Sequence, residues 1–149
     1  MTLSLGEPFP IGVLERLHTE LDEHDGPAVV WFFPAAGTRT CSRQADAFNA
    51  AHDAFERAGI KVVGVSVDEP DALPEFRAEH GLVYPLVSDA ETELTRQLDL
   101  WKEGQYGELA QRVTFLLDRD RIVRHVRHVD EVEGHPSEVL EAAERLERA

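Results

Sequence analysis

Apolar residues recur along the chain in two alternating rhythms. Val13, Leu14, Leu17 and Leu21 fall at helical spacing and predict a short amphipathic helix over Ile11 to Glu23. Asp25-Gly26-Pro27 punctuates it. Ala28 to Phe33 (AVVWFF) is a continuous apolar run of strand length, the pattern of a strand buried on both faces. After a loop from Pro34 to Thr40, a second helical stripe runs through Ala45, Phe48, Ala51, Phe55 and Ala58, and Gly59 ends it. Ile60 to Val67 (IKVVGVSV) is a second buried strand. Asp68 is placed to cap the helix that follows, with Pro70 near its first turn, Leu73 and Phe76 inward, and Gly81 closing it. Tyr84 to Val87 is strand-like, and Asp89 or Ala90 opens a helix carrying Leu94 and Leu98. Val113 to Leu117 and Ile122 to Val129 form strands joined by a turn at Asp118 to Arg121. Pro136 starts a last helix with Val139, Leu140, Ala143 and Leu146 inward.

A strand-helix-strand beginning followed by a β-hairpin and a helix implies an α/β fold. The expected plan is thioredoxin-like, a mixed central sheet with helices on both faces. Residues 1–149 read as a single domain, with no repeat, linker or low-complexity tract. Apolar types make up 42% and charged types 30%, so a core is affordable without a metal or disulfide. The net charge of −14 repels phosphate backbones and anionic lipids, which excludes nucleic acid and membrane surfaces as expected partners. The longest apolar run, Ala28 to Ala36, is too short to span a bilayer, and the N-terminus lacks the look of a secretory signal. A cytoplasmic protein is the expectation.

Cys41 is the single cysteine, so neither an intramolecular disulfide nor a CxxC pair can form. It falls between a buried strand and the first turn of a long helix, at the strand end where α/β folds build sites. Free N–H groups and the positive end of the helix dipole favour a thiolate there. An ordinary thiol, with a pKa of about 8.5, is only roughly 3% ionised at pH 7. Complete ionisation therefore gains about thirtyfold, and larger acceleration requires groups that polarise the substrate. Thr38 offers a hydroxyl across the same loop, and Pro34 stiffens the loop's start. Arg112, at the start of a later strand, would be brought beside the loop by a thioredoxin-like sheet.

These residues carry a family resemblance. Pro34-Ala-Ala-Gly-Thr38-Arg-Thr-Cys41 is similar to the PxxxTxxC motif of peroxiredoxins. Val63-Gly-Val-Ser-Val-Asp68, Tyr84-Pro-Leu-Val-Ser-Asp89 and Arg112-Val-Thr-Phe-Leu-Leu-Asp118 resemble three further segments of the family, in chain order, and the resemblance runs from about Gly6 to Val129. The bacterioferritin-comigratory (Q-type) and one-cysteine E-type branches are the most similar. The resemblance implies a thiol-specific antioxidant enzyme: Cys41 would be the peroxidatic nucleophile, Thr38 and Arg112 would position and polarise peroxide, and Pro34 would shield the thiolate. Hydrogen peroxide and small organic hydroperoxides are the implied substrates. Cys41 would become a sulfenic acid, recycled by an external thiol such as thioredoxin, glutaredoxin or a low-molecular-weight thiol. No metal or other cofactor is implied, and the protein would be a monomer or homodimer.

The chain departs from the Q-type pattern at Arg39-Thr40, where Pro-Gly is usual, and at Asp46, where many members carry a resolving cysteine. Gln44 stands where an acidic residue is common. The Arg39-Thr40 pair and the missing resolving thiol motivate a second reading, a thioredoxin-like redox sensor or interaction module with little turnover. A thiol-disulfide reductase lacks its second thiol. A Cys-His hydrolase would need His52 or His80 to approach Cys41. His125 and His128 fall on opposite faces of a strand and are not expected to chelate together. Trp31 and Trp101 read as apolar anchors, Trp101 with a dimer contact as an alternative, and the acidic last helix reads as a solvated face.

Overall fold

The computed structural model describes residues 5–33, 39–104, 107–110, 112–128 and 135–148. Among the described residues, seven strands and five α-helices follow one another as α1 (Glu15–Asp22), β1 (Ala28–Phe33), α2 (Arg39–Arg57), β2 (Lys61–Ser66), α3 (Ala72–His80), β3 (Leu86–Ser88), α4 (Glu93–Gln97), β4 (Trp101–Gly104), β5 (Gly107–Ala110), β6 (Val113–Leu117), β7 (Val123–His128) and α5 (His135–Arg148). Five of the strands make a mixed sheet in the order β3-β2-β1-β6-β7. β1, β2 and β3 are parallel, and β6 runs antiparallel to both β1 and β7. The expected α/β thioredoxin-like plan is the one observed.

β1 lies at the centre, and all six of its residues are buried. Its alternation divides the core. Val29, Trp31 and Phe33 face one layer with Phe48 and Phe55 of α2, Phe76 of α3 and Val139 of α5. Ala28, Val30 and Phe32 face the other with Leu17 and Leu21 of α1, Leu94 and Leu98 near α4, and Phe115 of β6. This is why the segment reads as an unbroken apolar run: both faces are covered by helices. Trp31 stacks on Phe33 and Phe48, with ring centroids 4.6 and 5.2 Å apart. Its indole presses so closely on β2 that a Cβ at Gly64 would lie 3.1 Å from Trp31 Cε2 and 2.7 Å from Leu86 Cδ2. Gly64 is the residue that lets the two strands and the ring coexist.

Four local features differ from the sequence pattern. The first predicted helix is interrupted: Ile11–Val13 is a 3₁₀ turn, Leu14 is extended, and α1 begins only at Glu15. Asp68 does not cap α3. Its carboxylate takes the Ser66 hydroxyl, its own N–H donates back to Ser66 Oγ at 3.1 Å, and Asp71 precedes the helix without a side-chain cap. α4 begins at Glu93, later than expected, although Asp89 does serve its start. The buried Asp89 carboxylate accepts from Leu94 N–H at 3.3 Å, Thr95 N–H at 2.7 Å and Thr95 Oγ1 at 2.6 Å. β4 and β5 form a second, two-stranded antiparallel sheet that charge-rich alternation concealed. There Arg96 lies 5.3 Å over the Trp101 ring, covering the half-buried indole from within the chain.

The β6–β7 turn is anchored at a distance. Asp118 Oδ1 accepts from the N–H groups of Asp120 and Ile122, and Arg121 adopts a left-handed φ of 64°. The Arg121 guanidinium donates to the carbonyls of Gly26 at 2.6 Å, and of Leu21 and His24, each at 2.7 Å. It thereby satisfies carbonyls at the end of α1 that the helix itself leaves open. No helix among the described residues is long and apolar enough to cross a membrane.

Candidate active site

Cys41 is the third residue of α2, which starts beyond the C-terminal end of β1. Backbone N–H groups in this first turn have no partners within the helix and carry the positive end of its dipole. Cys41 is completely buried and packs in the layer of Trp31, Phe33 and Phe48. Pro34 and Thr38 lie outside the described residues, as do the positions between them.

Arg112 immediately precedes β6. Val113 pairs with Phe32, so Arg112 falls at the level of the last residue of β1, the end from which α2 departs. Its side chain reaches α2: Arg112 Nη1 donates to Gln44 Oε1 at 2.7 Å. Gln44 comes one turn after Cys41, on the same face of the helix. Three of the sequence-derived pieces, Cys41, Gln44 and Arg112, are thus assembled at one end of the sheet. Gln44 is the residue whose role the sequence left open; its spacing of three from Cys41 was the available signal. Gln44 is itself fully buried, and its Nε2 has no hydrogen-bond partner. A buried donor left unpaired costs about 1–3 kcal/mol.

The helix behind these residues is braced. The buried Tyr84 hydroxyl donates to the carbonyl of Ala45 at 2.9 Å. Burial, and secondarily the Asp46 carboxylate, push the Tyr84 phenol far above the ordinary tyrosine range, which keeps it a donor. Asn49 clasps the end of α3, giving its Nδ2–H to Gly81 O at 3.0 Å and accepting from Val83 N–H at 2.9 Å. On the α5 side, His135 Nε2 lies 2.8 Å from Thr114 Oγ1, and its ring meets Phe48 edge-on at 5.7 Å.

The remaining candidates stand elsewhere. Asp46, at the position of a resolving cysteine, is exposed and lies 3.0 Å from His80 Nδ1. His80 also packs on the Phe76 ring, and His52 lies beside Glu56 and the Tyr84 ring. His125 Nε2 is 3.6 Å from Glu138 of α5, while His128 is exposed. Among the described residues one trio, His52, Asp53 and Glu56, brings three potential metal-ligand atoms within 4.8 Å of one another. It lies about three turns along α2 from Cys41, and Asp53 and Glu56 are exposed. A cavity of about 450 Å³ also lies away from Cys41, lined by His24, Lys61 and Val62 at the start of β2 together with His52 and Tyr84.

The sequence pattern of the AhpC/TSA family matches residues 13–126, a span that includes both Cys41 and Arg112. Peroxiredoxin Bcp of Xanthomonas campestris is 36% identical over 140 residues, covering 90% of this chain and 87% of that one. The solved structure of X. campestris bacterioferritin comigratory protein, described for its alkyl peroxide reduction activity, superposes with a TM-score of 0.78 at 32% identity, over 88% of this chain and 83% of that chain. A cysteine-to-serine variant of Xylella fastidiosa PrxQ superposes with a TM-score of 0.88 at 26% identity, over 99% of both chains. A thioredoxin-like sheet with a buried cysteine at the head of α2, matched over most of its length by these relatives, identifies the chain as a member of the AhpC/TSA family, a peroxiredoxin of the Bcp/Q type and hence a thiol-dependent peroxidase.

Proposed function

We propose that this peroxidase reduces hydrogen peroxide and small organic hydroperoxides at Cys41 by a one-cysteine cycle. The observation that carries the reading is the placement of Cys41 in the first turn of α2 with Arg112 tied to the same helix one turn further on. The Cys41 sulfur attacks the terminal peroxide oxygen. The S–O bond forms as the O–O bond breaks, the oxygen bearing the substituent leaves as water or alcohol after taking a proton, and Cys41 is left as a sulfenic acid. Helix N–H groups stabilise the attacking anion. The Arg112 guanidinium stabilises the charge that develops on the peroxide oxygens, an interaction strongest in the transition state. Thr38 would orient the peroxide by its hydroxyl, and Pro34 would keep water from the sulfur. Burial of the thiol favours small oxidants over bulky ones.

Cys41 is the single cysteine of the chain, so the sulfenic acid is resolved from outside. One external thiol condenses with it to a mixed disulfide and releases water. A second thiol then displaces Cys41, regenerating the thiol and leaving the reductant as a disulfide. Thioredoxin, glutaredoxin and low-molecular-weight thiols are the reductants to be compared.

The test is single turnover. One equivalent of hydrogen peroxide should consume the Cys41 thiol far faster than it consumes free cysteine and yield a dimedone-trappable sulfenate, and Cys41→Ser should do neither. Oxidation at the rate of free cysteine would refute the reading. Rapid oxidation with no turnover in any thiol would leave the sensor reading in its place.

A further inference from the structure

Two exposed carboxylates stand beside a half-buried imidazole late in α2. His52, Asp53 and Glu56 each offer one potential ligand atom, and the three atoms lie within 4.8 Å of one another. Their spacing makes this possible. Glu56 falls one turn beyond His52 and three residues beyond Asp53, so the three side chains form a triangle on one face of the helix. His52 Nδ1 is 3.7 Å from Glu56 Oε2.

The neighbouring cations are engaged with other groups. Arg57 Nε donates to the backbone carbonyl of Asp53 at 3.3 Å, and Lys61 pairs with Glu20 at 3.1 Å. Among the described residues neither Asp53 nor Glu56 is ion-paired with an arginine or a lysine. The trio lines the cavity of about 450 Å³, a recess with room for an ion and the waters that would complete its coordination. His24 lines the same cavity but stands outside the trio, its Nε2 held 3.0 Å from Pro27 O and 2.9 Å from Gly59 O.

We propose that His52, Asp53 and Glu56 form a binding site for one divalent transition-metal cation, separate from the peroxide chemistry at Cys41. One imidazole nitrogen with two carboxylate oxygens is a donor set that suits zinc and its neighbours, whereas magnesium and calcium favour oxygen alone. Metal–ligand bonds of about 2.0–2.2 Å require the triangle to contract. Asp53 and Glu56 are exposed and free to rotate inward. The net charge of −14 draws cations to the chain. A bound ion joins His52 to Glu56 across one turn of α2 and stabilises the folded state by the free energy of its binding.

The test is calorimetric titration with zinc chloride near neutral pH in a buffer that does not chelate. Cys41→Ser serves as the parent, because it removes the one thiol that would compete for zinc. One equivalent should bind, and the thermal midpoint should rise with zinc concentration. His52→Ala, Asp53→Asn and Glu56→Gln, each added to that parent, should weaken binding by roughly tenfold or more, at least the loss that follows removal of an outer partner of a metal ligand. Absence of both binding heat and midpoint shift would overturn the inference. So would undiminished affinity in a folded His52→Ala, or in both carboxylate variants, since the ion would then sit elsewhere. His52→Ala also removes a ring stacked on Tyr84. If it does not fold, Asp53→Asn and Glu56→Gln decide, being near-isosteric changes at exposed positions.

Discussion

His135 Nε2 and Thr114 Oγ1 meet at 2.8 Å within the layer of the fold that also holds Cys41. The pair joins the first residue of α5 to the second residue of β6, and His135 is only 2% exposed. Burial lowers the His135 pKa to about 4, with Glu138 partly opposing the shift. In the unfolded chain an ordinary histidine titrates near 6.5. Above that value His135 is neutral in both states and its burial carries no protonation penalty. As the pH falls from about 6.5 toward 4, the unfolded chain gains a proton that the folded chain refuses, and stability declines. Below about 4 both states are protonated and this contribution is flat. The loss has a ceiling of about 3 kcal/mol. Urea midpoints of wild type and His135→Gln should diverge least at pH 4 and most above pH 6.5, with the wild type showing the steeper fall between them. Parallel pH curves would remove His135 as the source.

Arg112→Lys keeps a positive charge but loses the planar fork that engages Gln44 and that the proposed mechanism also sets against a substrate oxygen. Its kcat/KM for hydrogen peroxide should fall by roughly tenfold or more. The thermal midpoint should barely change, because Arg112 is part-exposed and, among the described residues, bonds a single side chain. Stopped-flow thiol consumption measures the first quantity and calorimetry the second.

Asp89→Ala should be a stability variant without a comparable defect in peroxide chemistry. It removes a buried acceptor that takes the Leu94 and Thr95 N–H groups and the Thr95 hydroxyl. Orphaning these donors should cost about 3 kcal/mol, or roughly 10 °C in Tm for a chain of this length. The specific rate of the remaining folded protein at 15 °C is the control.

Gly64→Ala places a methyl group 2.7 Å from Leu86 Cδ2 and 3.1 Å from Trp31 Cε2. The end of the Leu86 side chain must shift and the indole must give by a few tenths of an ångström, and overpacking of this kind costs about 1–3 kcal/mol. In a Trp101→Phe background the emission of Trp31 should shift with the substitution. An unchanged spectrum and an unchanged urea midpoint would show that the neighbours yield freely.

The legible parts of the fold were those where one local pattern serves one burial pattern. AVVWFF reads as a doubly buried strand because both layers of the core claim its side chains. The stripe through Phe48 and Phe55 marks the buried face of α2 for the same reason. The hairpin of β4 and β5 was missed because residues such as Lys102, Glu103 and Glu108 give it no apolar alternation. Ser66 diverted Asp68 from its expected capping role through a contact two residues back, a competition that propensity does not rank. At the site, Cys41 and Arg112 were legible through motif residues. The bond that joins Arg112 to α2 was not, because it spans 68 positions and depends on which face of the helix turns toward β6.

The grip of Arg121 on three carbonyls near the end of α1 has a bearing on the order in which the molecule can be completed. The corner leading from α1 into β1 is synthesised early, but the cation that seals it arrives nearly a hundred residues later. Until then the carbonyls of Gly26, Leu21 and His24 lack that cation, although Leu21 O already accepts from the His24 N–H at 3.2 Å. A nascent chain that stops short of the last hairpin therefore carries an unfinished seam on the side of the sheet opposite the cysteine.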